Sequence, residues 1–290
     1  METATISIEK ITTIQGFHRC EELQRQVWGM EDISIVPLHL LLTVQKNGGL
    51  VLGAFDAQGT MVGFVFGFLG MTDQGQVKHC SHMAGVLPEY QGQRIGYRLK
   101  LAQREHALAQ GLDLATWTYD PLEGTNASLN ISKLGVICRT YLPDVYGDTG
   151  IQLHLDLPTD RFEVEWWVRS QRVQERLGSR HGKLTLDKAL DMGAERVNRT
   201  EFDGRGLLRS EVDDRAPGAE ALLIEIPADF QVLKSTDMGL AREWRMQTRE
   251  IFEDCFGAAY TVTEFISEVQ EGRRRNFYLL QRAFRPSLRE

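Results

Sequence analysis

No stretch of this sequence is apolar for long enough to cross a membrane as a helix. The most apolar run, Met61 to Leu69 in a chain of 290 residues, is about half the length a spanning helix needs. Basic charge is also short: 33 Lys and Arg stand against 40 Asp and Glu, a net charge of −7. That balance argues against a nucleic-acid partner, which requires a basic surface, but leaves room for a local basic pocket. Cysteine is scarce. Cys20, Cys80, Cys138 and Cys255 are scattered, no pair has metal-ligand spacing, and four in a chain this long make no disulfide framework. They read as buried free thiols in a reducing cytoplasm, with no metal expected. The N-terminal stretch METATISIEKITTIQ lacks the positive start and apolar centre of a signal peptide. No period of 20–50 residues recurs, which excludes a solenoid or propeller.

Present in quantity are apolar residues, 42% of the chain, enough for a sizeable core in one large or two modest domains. Thr5 to Lys10 alternates as a first strand, and Phe17 to Trp28 repeats as a helix that ends before Pro37. Gly49–Phe55 and Thr60–Gly70 flank the turn residues DAQG, a hairpin. Gln76–Val86 is a fourth strand. Arg94 to Gln110 is a helix with Ile95, Leu99, Ala102, His106 and Ala109 on one face, ended by Gly111. LDLATWTYD is a strand closed by Pro121, NASLNISKLG a helix closed by Gly135, and VICRTYL and RFEVEWWV are strands.

Beyond about 170 the pattern changes to polar helices, a hairpin, the strand ALLIEIP, an amphipathic helix and two closing strands. That helix carries Leu240, Trp244, Thr248, Ile251 and Cys255 on one side. The closing helix and strand pair faintly echo 123–169. The expected division is therefore 1–170 and 171–290, the second part packing on the first.

The segment VLPEYQGQRIGYRLK, Val86 to Lys100, carries the chemistry. A helix start points unpaired N–H groups outward and bears partial positive charge, so it can hold an anion. Glycines permit positive φ and close backbone approach. Gly96 falls inside the first turn, where glycine costs about 1 kcal/mol against alanine. An ordinary turn with close helix–strand packing would use the same two glycines.

The segment resembles the acyl-CoA pyrophosphate loop of the GNAT acyltransferase superfamily, through Val86, Pro88, Tyr90, Gln91 and Gly96. Arg94 stands where that loop usually has its central glycine. A second match follows in Asn126 and Lys133-Leu134-Gly135-Val136. The family's tyrosine would fall at Ile131. The resemblance covers roughly 5–169. More closely, the chain is similar to an uncharacterised bacterial GNAT-like group with an extra C-terminal region.

It implies an α/β (α+β) fold: a mixed, mostly antiparallel twisted sheet with flanking helices, splayed between its fourth and fifth strands, plus a C-terminal α+β region. It also implies an N-acyltransferase using acetyl-CoA or another acyl-CoA as co-substrate and a small-molecule amine as acceptor. Attack would be direct, in a ternary complex. Gln91, Gly92, Gln93, Arg94, Ile95, Gly96 and Tyr97 would line the CoA-binding turn. The N–H of Val86 or Leu87 would hold the thioester carbonyl, and Asn126 the pantetheine arm.

For the base, His79 and His82 lie three apart on a strand and face opposite sides, so at most one reaches the cleft; His82 is the nearer. Glu165 is an outside candidate. For the acid that protonates the thiolate, Tyr141 is preferred over Tyr146. Trp28, Pro37 and His39 lie where the family builds its acceptor wall. Arg245 and Arg249, four apart, either bind an anion or form a solvated helix face. A homodimer is compatible with all of this. The competing reading is a GNAT-like regulatory protein that binds CoA or another small ligand without turnover.

Overall fold

The computed structural model describes residues 6–147, 157–178, 182–212 and 218–287. The chain forms two compact units, Met1–Trp117 and Thr118–Glu290.

In the first unit the elements run β1 (Ser7–Lys10), α1 (Ile14–Trp28), α2 (Leu38–Lys46), β2 (Leu50–Phe55), β3 (Met61–Met71), β4 (Val77–Val86) and α3 (Ile95–Ala109). β5 (Leu114–Tyr119) follows, its last two residues counted with the second unit. The strands lie in the order β1-β2-β3-β4-β5, antiparallel except for the parallel pair β4–β5. The β2–β3 turn closes because the Asp56 carboxylate accepts from the N–H groups of Gln58 (3.0 Å) and Thr60 (2.8 Å). α1 begins on Thr13, whose hydroxyl accepts from the Gly16 N–H, and ends on Gly29 in the left-handed conformation.

The two faces of this sheet carry different helices. Phe64 meets Trp28 of α1 edge-on at 5.9 Å, and Trp28 also crowds Gly85. On the opposite face His79 and Ser81 bond to Gln103 and Lys100 of α3.

Two expectations need correction here. Pro37 does not merely end α1; it starts α2, and the Leu38 N–H finds an acceptor in Glu21 at 2.6 Å. The run LHLLLTVQK hides this helix because its crowded leucines show no clear period, and only Leu41 of them is buried. The buried face of α3 is also rotated from the expected one. It consists of Ile95, Leu99, Lys100, Gln103 and Ala107, while Ala102 and His106 are half-buried and Ala109 is exposed. Two polar residues occupy core positions, a pattern that apolar periodicity cannot register.

In the second unit α4 (Gly124–Ala127) continues into a π-helical turn at Ser128–Lys133. Then come β6 (Ile137–Leu142), β7 (Arg161–Trp167), α5 (Gln171–Leu177), α6 (Leu186–Asp191), β8 (Glu195–Arg196), β9 (Asn198–Phe202) and β10 (Leu208–Val212). β11 (Ala221–Ile226), α7 (Phe230–Thr236), α8 (Met238–Gly257), β12 (Tyr260–Gln270) and β13 (Arg273–Arg282) complete it. The sheet order is β7-β6-β12-β13-β11-β8, with β9–β10 a separate hairpin. All five expected residues of α8 are buried. α7 went unread in the sequence; it is a short helix between two stronger signals.

Compactness divides the chain inside β5, at 117/118. The segment after 170 is tied to what precedes it. β12 pairs with β6 at Val262↔Cys138, Arg176 donates to the Ser132 carbonyl at 2.9 Å, and Arg172 donates to that of Gly135 at 3.0 Å. Thr5, expected to open the first strand, lies outside the described residues.

Candidate functional site

The turn from β4 into α3 is built from the end of a strand and an uncapped helix. Pro88–Tyr90 make one 3₁₀ turn, pinned where the Tyr90 hydroxyl donates to Asp56 at 3.0 Å. Gly92 then adopts φ 78° and Arg94 φ 61°, ψ 17°, both left-handed. Alternation of right- and left-handed residues turns successive N–H groups inward, forming an anion nest. Arg94 is the N-cap of α3, yet no side chain caps the helix. Among the described residues no acceptor takes the N–H groups of Gly92, Gln93, Arg94, Ile95, Gly96 or Tyr97. The next, from Arg98, reaches the Arg94 carbonyl at 3.0 Å. Gln91 to Arg94 are exposed and Ile95 is buried, so the nest opens to solvent from an anchored base. The Arg94 guanidinium lies 5.2 Å from the Tyr97 ring centroid.

The edge of β4 supplies a further donor. Leu87 donates its N–H to the Val62 carbonyl at 2.9 Å, so it does not hold a thioester oxygen. Antiparallel pairing alternates, so the N–H of Val86 points to the other edge of the strand. The Val86 carbonyl is met from outside the ladder, by Gln91 Nε2 at 3.3 Å.

His79 and His82 do face opposite sides. A bulge at Phe66/Gly67 leaves His82 without a partner in the β3–β4 register. Its ring stands between Phe66 and Phe68, with centroids 5.8 and 5.9 Å away. The side chain is exposed, but these aromatic neighbours strip part of its hydration and lower its pKa below the usual histidine value. His79 is buried on the α3 side, where Nε2 lies 2.9 Å from Gln103 Nε2 and Nδ1 has no partner among the described residues. Burial, with His106 and Lys100 nearby, lowers its pKa to about 3.

The second unit holds Asn126 and Tyr141. Asn126 is exposed in α4. Tyr141 is buried, and its hydroxyl donates to Asp160 at 2.7 Å. Burial beside that carboxylate drives the phenol's pKa far up, so it is a weaker acid than a free tyrosine. Tyr146 is half exposed and lies under Arg161.

Glu165 is held in an ion pair rather than offered to a cleft. It accepts both arms of Arg139, at 2.7 and 2.8 Å, and the Trp167 indole N–H at 2.8 Å. Arg245 and Arg249 are neither a solvated face nor an open anion site. Arg245 is 2% exposed and bonds to Asp120 at 2.5 Å, while Arg249 grips Asp160 at 2.9 and 2.6 Å. Both satisfy the chain's own carboxylates. Trp28 and Pro37 are half-buried, and His39 is exposed.

The sequence reading missed Lys100. It is 5% exposed, and its Nζ donates to Ser81 Oγ at 2.7 Å and lies 3.4 Å from Gln103 Oε1. It also stands 3.7 Å from the Trp117 ring centroid. Burial lowers the pKa of this ammonium to about 7. The signal was present as the four-residue line Ile95, Leu99, Gln103, Ala107, beside which Lys100 must point inward.

No protein-family model matches the chain, and no curated protein matches it. Solved structures similar to it include N-acetyltransferases. The ribosomal-protein-S18-alanine N-acetyltransferase of Escherichia coli is 13% identical, over 57% of this chain and 94% of that one, with a TM-score of 0.45. An aminoglycoside acetyltransferase from an uncultured soil metagenomic sample is 18% identical, over 42% and 82%, with a TM-score of 0.37. A GNAT family N-acetyltransferase of Escherichia coli, solved in complex with CoA, is 18% identical over 41% and 64%, with a TM-score of 0.34.

Proposed function

We propose that this chain is a GNAT-superfamily N-acyltransferase that moves an acyl group, acetyl in the first instance, from CoA to a small amine in a reducing cytoplasm. The observation that carries the reading is the nest: two left-handed residues, an uncapped helix and a run of unclaimed N–H groups from Gly92 to Tyr97. A pyrophosphate has the charge and the acceptor oxygens that such a cradle lacks.

From that anchor an extended pantetheine arm would follow the free edge of β4, past the Val86 N–H. That donor would hold an amide carbonyl of the arm on its way to the reacting end. Attack by the amine needs a neutral nitrogen. His82, its pKa lowered and its ring on the face that carries α1, is unprotonated at neutral pH and can accept the ammonium proton, directly or through water. Direct attack in a ternary complex needs no protein nucleophile, and the turn and strand edge supply positioning.

Calorimetry with CoA on the wild type and on Gly96→Trp tests the binding step. Wild type should bind, and the variant should lose binding while remaining folded. The absence of heat at millimolar CoA with wild type would end the reading. Thiol release from acetyl-CoA across a panel of small amines then tests turnover. One observation favours the non-catalytic alternative: the position of the family's tyrosine holds Ile131, fully buried. Tight CoA binding with no thiol release for any amine would select it.

A further inference from the structure

β4 and β5 pair in parallel through only two rungs, His79↔Ala115 and Cys80↔Thr116. The next residues are Ser81 on β4 and Trp117 on β5, the first past the last rung. Lys100 Nζ sits between these two, 2.7 Å from Ser81 Oγ and 3.7 Å from the indole centroid. A buried cation thus occupies the apex of the fork where the two strands stop pairing.

Its surroundings are unusual for a structural lysine. Among the described residues no carboxylate lies within ion-pair distance of it. The other titratable groups around it are imidazoles and a thiol: His79 and Cys80 on β4, and His106 on α3, its ring 5.9 Å from that of His79. None of them is a carboxylate. An ammonium has three protons to give. Ser81 takes one and Gln103 a second, weakly; the third meets only the π face of Trp117. Buried cations are ordinarily paired, because an unpaired one is costly. This one keeps a donor for something that arrives.

Resting on the acyl-CoA reading above, we propose that the Lys100 ammonium meets the CoA sulfur and protonates the thiolate as it departs. From the nest, β4 runs back from Val86 to Ser81, five residues or about 16 Å of strand at 3.3 Å per residue. An extended pantetheine arm has comparable reach, so its sulfur comes to the fork. The amine nitrogen attacks the thioester carbonyl carbon, and collapse breaks the C–S bond with its electron pair left on sulfur. One proton passes from Nζ to that sulfur. The neutral lysine regains a proton from solvent, matching the one that the attacking nitrogen gives up. Ile131 has no proton to give, and the Tyr141 hydroxyl is held by Asp160.

The test uses CoA itself and needs no acceptor. The ultraviolet absorbance of the bound thiolate is followed against pH in wild type and in Lys100→Met. An ammonium in contact should shift bound-thiol ionisation down by at least about one pH unit relative to the variant. Identical titrations in two folded proteins would overturn the inference. If Lys100→Met fails to fold, wild type alone decides, by comparing its affinity for CoA with that for desulfo-CoA. A proton shared between lysine and sulfur makes the excess affinity of CoA largest between the two free pKa values, about 7 for Lys100 and about 8.5 for a thiol. It falls off on both sides. Equal affinities at every pH would refute contact with the sulfur. Failure of both ligands to bind is a different result, which overturns the acyl-CoA reading and takes this inference with it.

Discussion

Arg94 offers a test of the nest that does not depend on any ligand. The residue stands at φ 61°, ψ 17°, a region that costs a non-glycine residue on the order of 1 kcal/mol. Two substitutions separate its parts. Arg94→Ala removes the guanidinium and its stacking on Tyr97, worth about 0.5–1 kcal/mol at an exposed site, and keeps the strain. Arg94→Gly removes the same side chain and the strain together. The glycine variant should therefore be more stable than the alanine variant by about 1 kcal/mol, a difference of roughly 2–4 °C in Tm for a cooperative unit of this size. Against wild type, glycine should come out near neutral, because strain relief and lost stacking offset each other. Thermal melts of the three proteins give this ordering directly. Calorimetry with CoA adds the functional half. Both variants should bind more weakly, by about ten- to a hundred-fold, if the guanidinium touches phosphate, since a charge-assisted bond contributes about 1.5–3 kcal/mol. Equal Tm values for Ala and Gly would mean that position 94 is not left-handed in solution, and the nest would then lose its defining turn.

The second unit and the buried α3 cluster make separate predictions. Arg249→Met leaves the fully buried Asp160 without its paired guanidinium, and loss of one partner from a buried pair costs about 3–5 kcal/mol; urea unfolding should show it, and a loss under about 1 kcal/mol would contradict the assigned burial. Lys100 has a folded pKa of about 7 against an unfolded value near 10.5, so the unfolded chain binds more protons between them. Its contribution to stability is complete above the unfolded value and is lost as pH falls toward 7. Wild type should therefore gain stability relative to Lys100→Met as pH rises from 7 to 10; parallel stability–pH curves would refute the depressed ionisation.

What was legible in the sequence was whatever rests on local chemistry. The DAQG hairpin follows from the Asp56 side chain, α8 from an unbroken apolar stripe, and the nest from glycines placed between a strand and a helix. The opposed faces of His79 and His82 follow from strand alternation. What escaped depends on partners distant in sequence. Nothing near Arg245 or Arg249 announces Asp120 or Asp160, more than eighty positions away, and without them two arginines on a helix look solvated. Lys100 escaped for a related reason: a lysine is read as polar wherever the pattern is sought, and only the position of Gln103 reveals the buried line. The Leu87 N–H could not be judged until its rung with Val62 was seen.

The division near 170 raises a physical question about the second unit. A change of pattern in sequence is a change in local composition, whereas a domain boundary is set by what must be covered. β6 pairs with β7 on one side; its other edge would be a row of open backbone donors and acceptors, a template for aggregation. β12 occupies that edge, although its rung with β6 is Val262↔Cys138, and β12 pairs with β13 in turn. The order β7-β6-β12-β13 is therefore symmetric about the β6–β12 seam, with a helix leading into each pair of strands. The residues after 170 supply the strand that closes an edge left by the residues before it, and Arg172 and Arg176 fasten the join to the carbonyls of Gly135 and Ser132. A segment that caps an edge cannot be cut away without reopening it, which is why the compact unit runs through position 170 without a break.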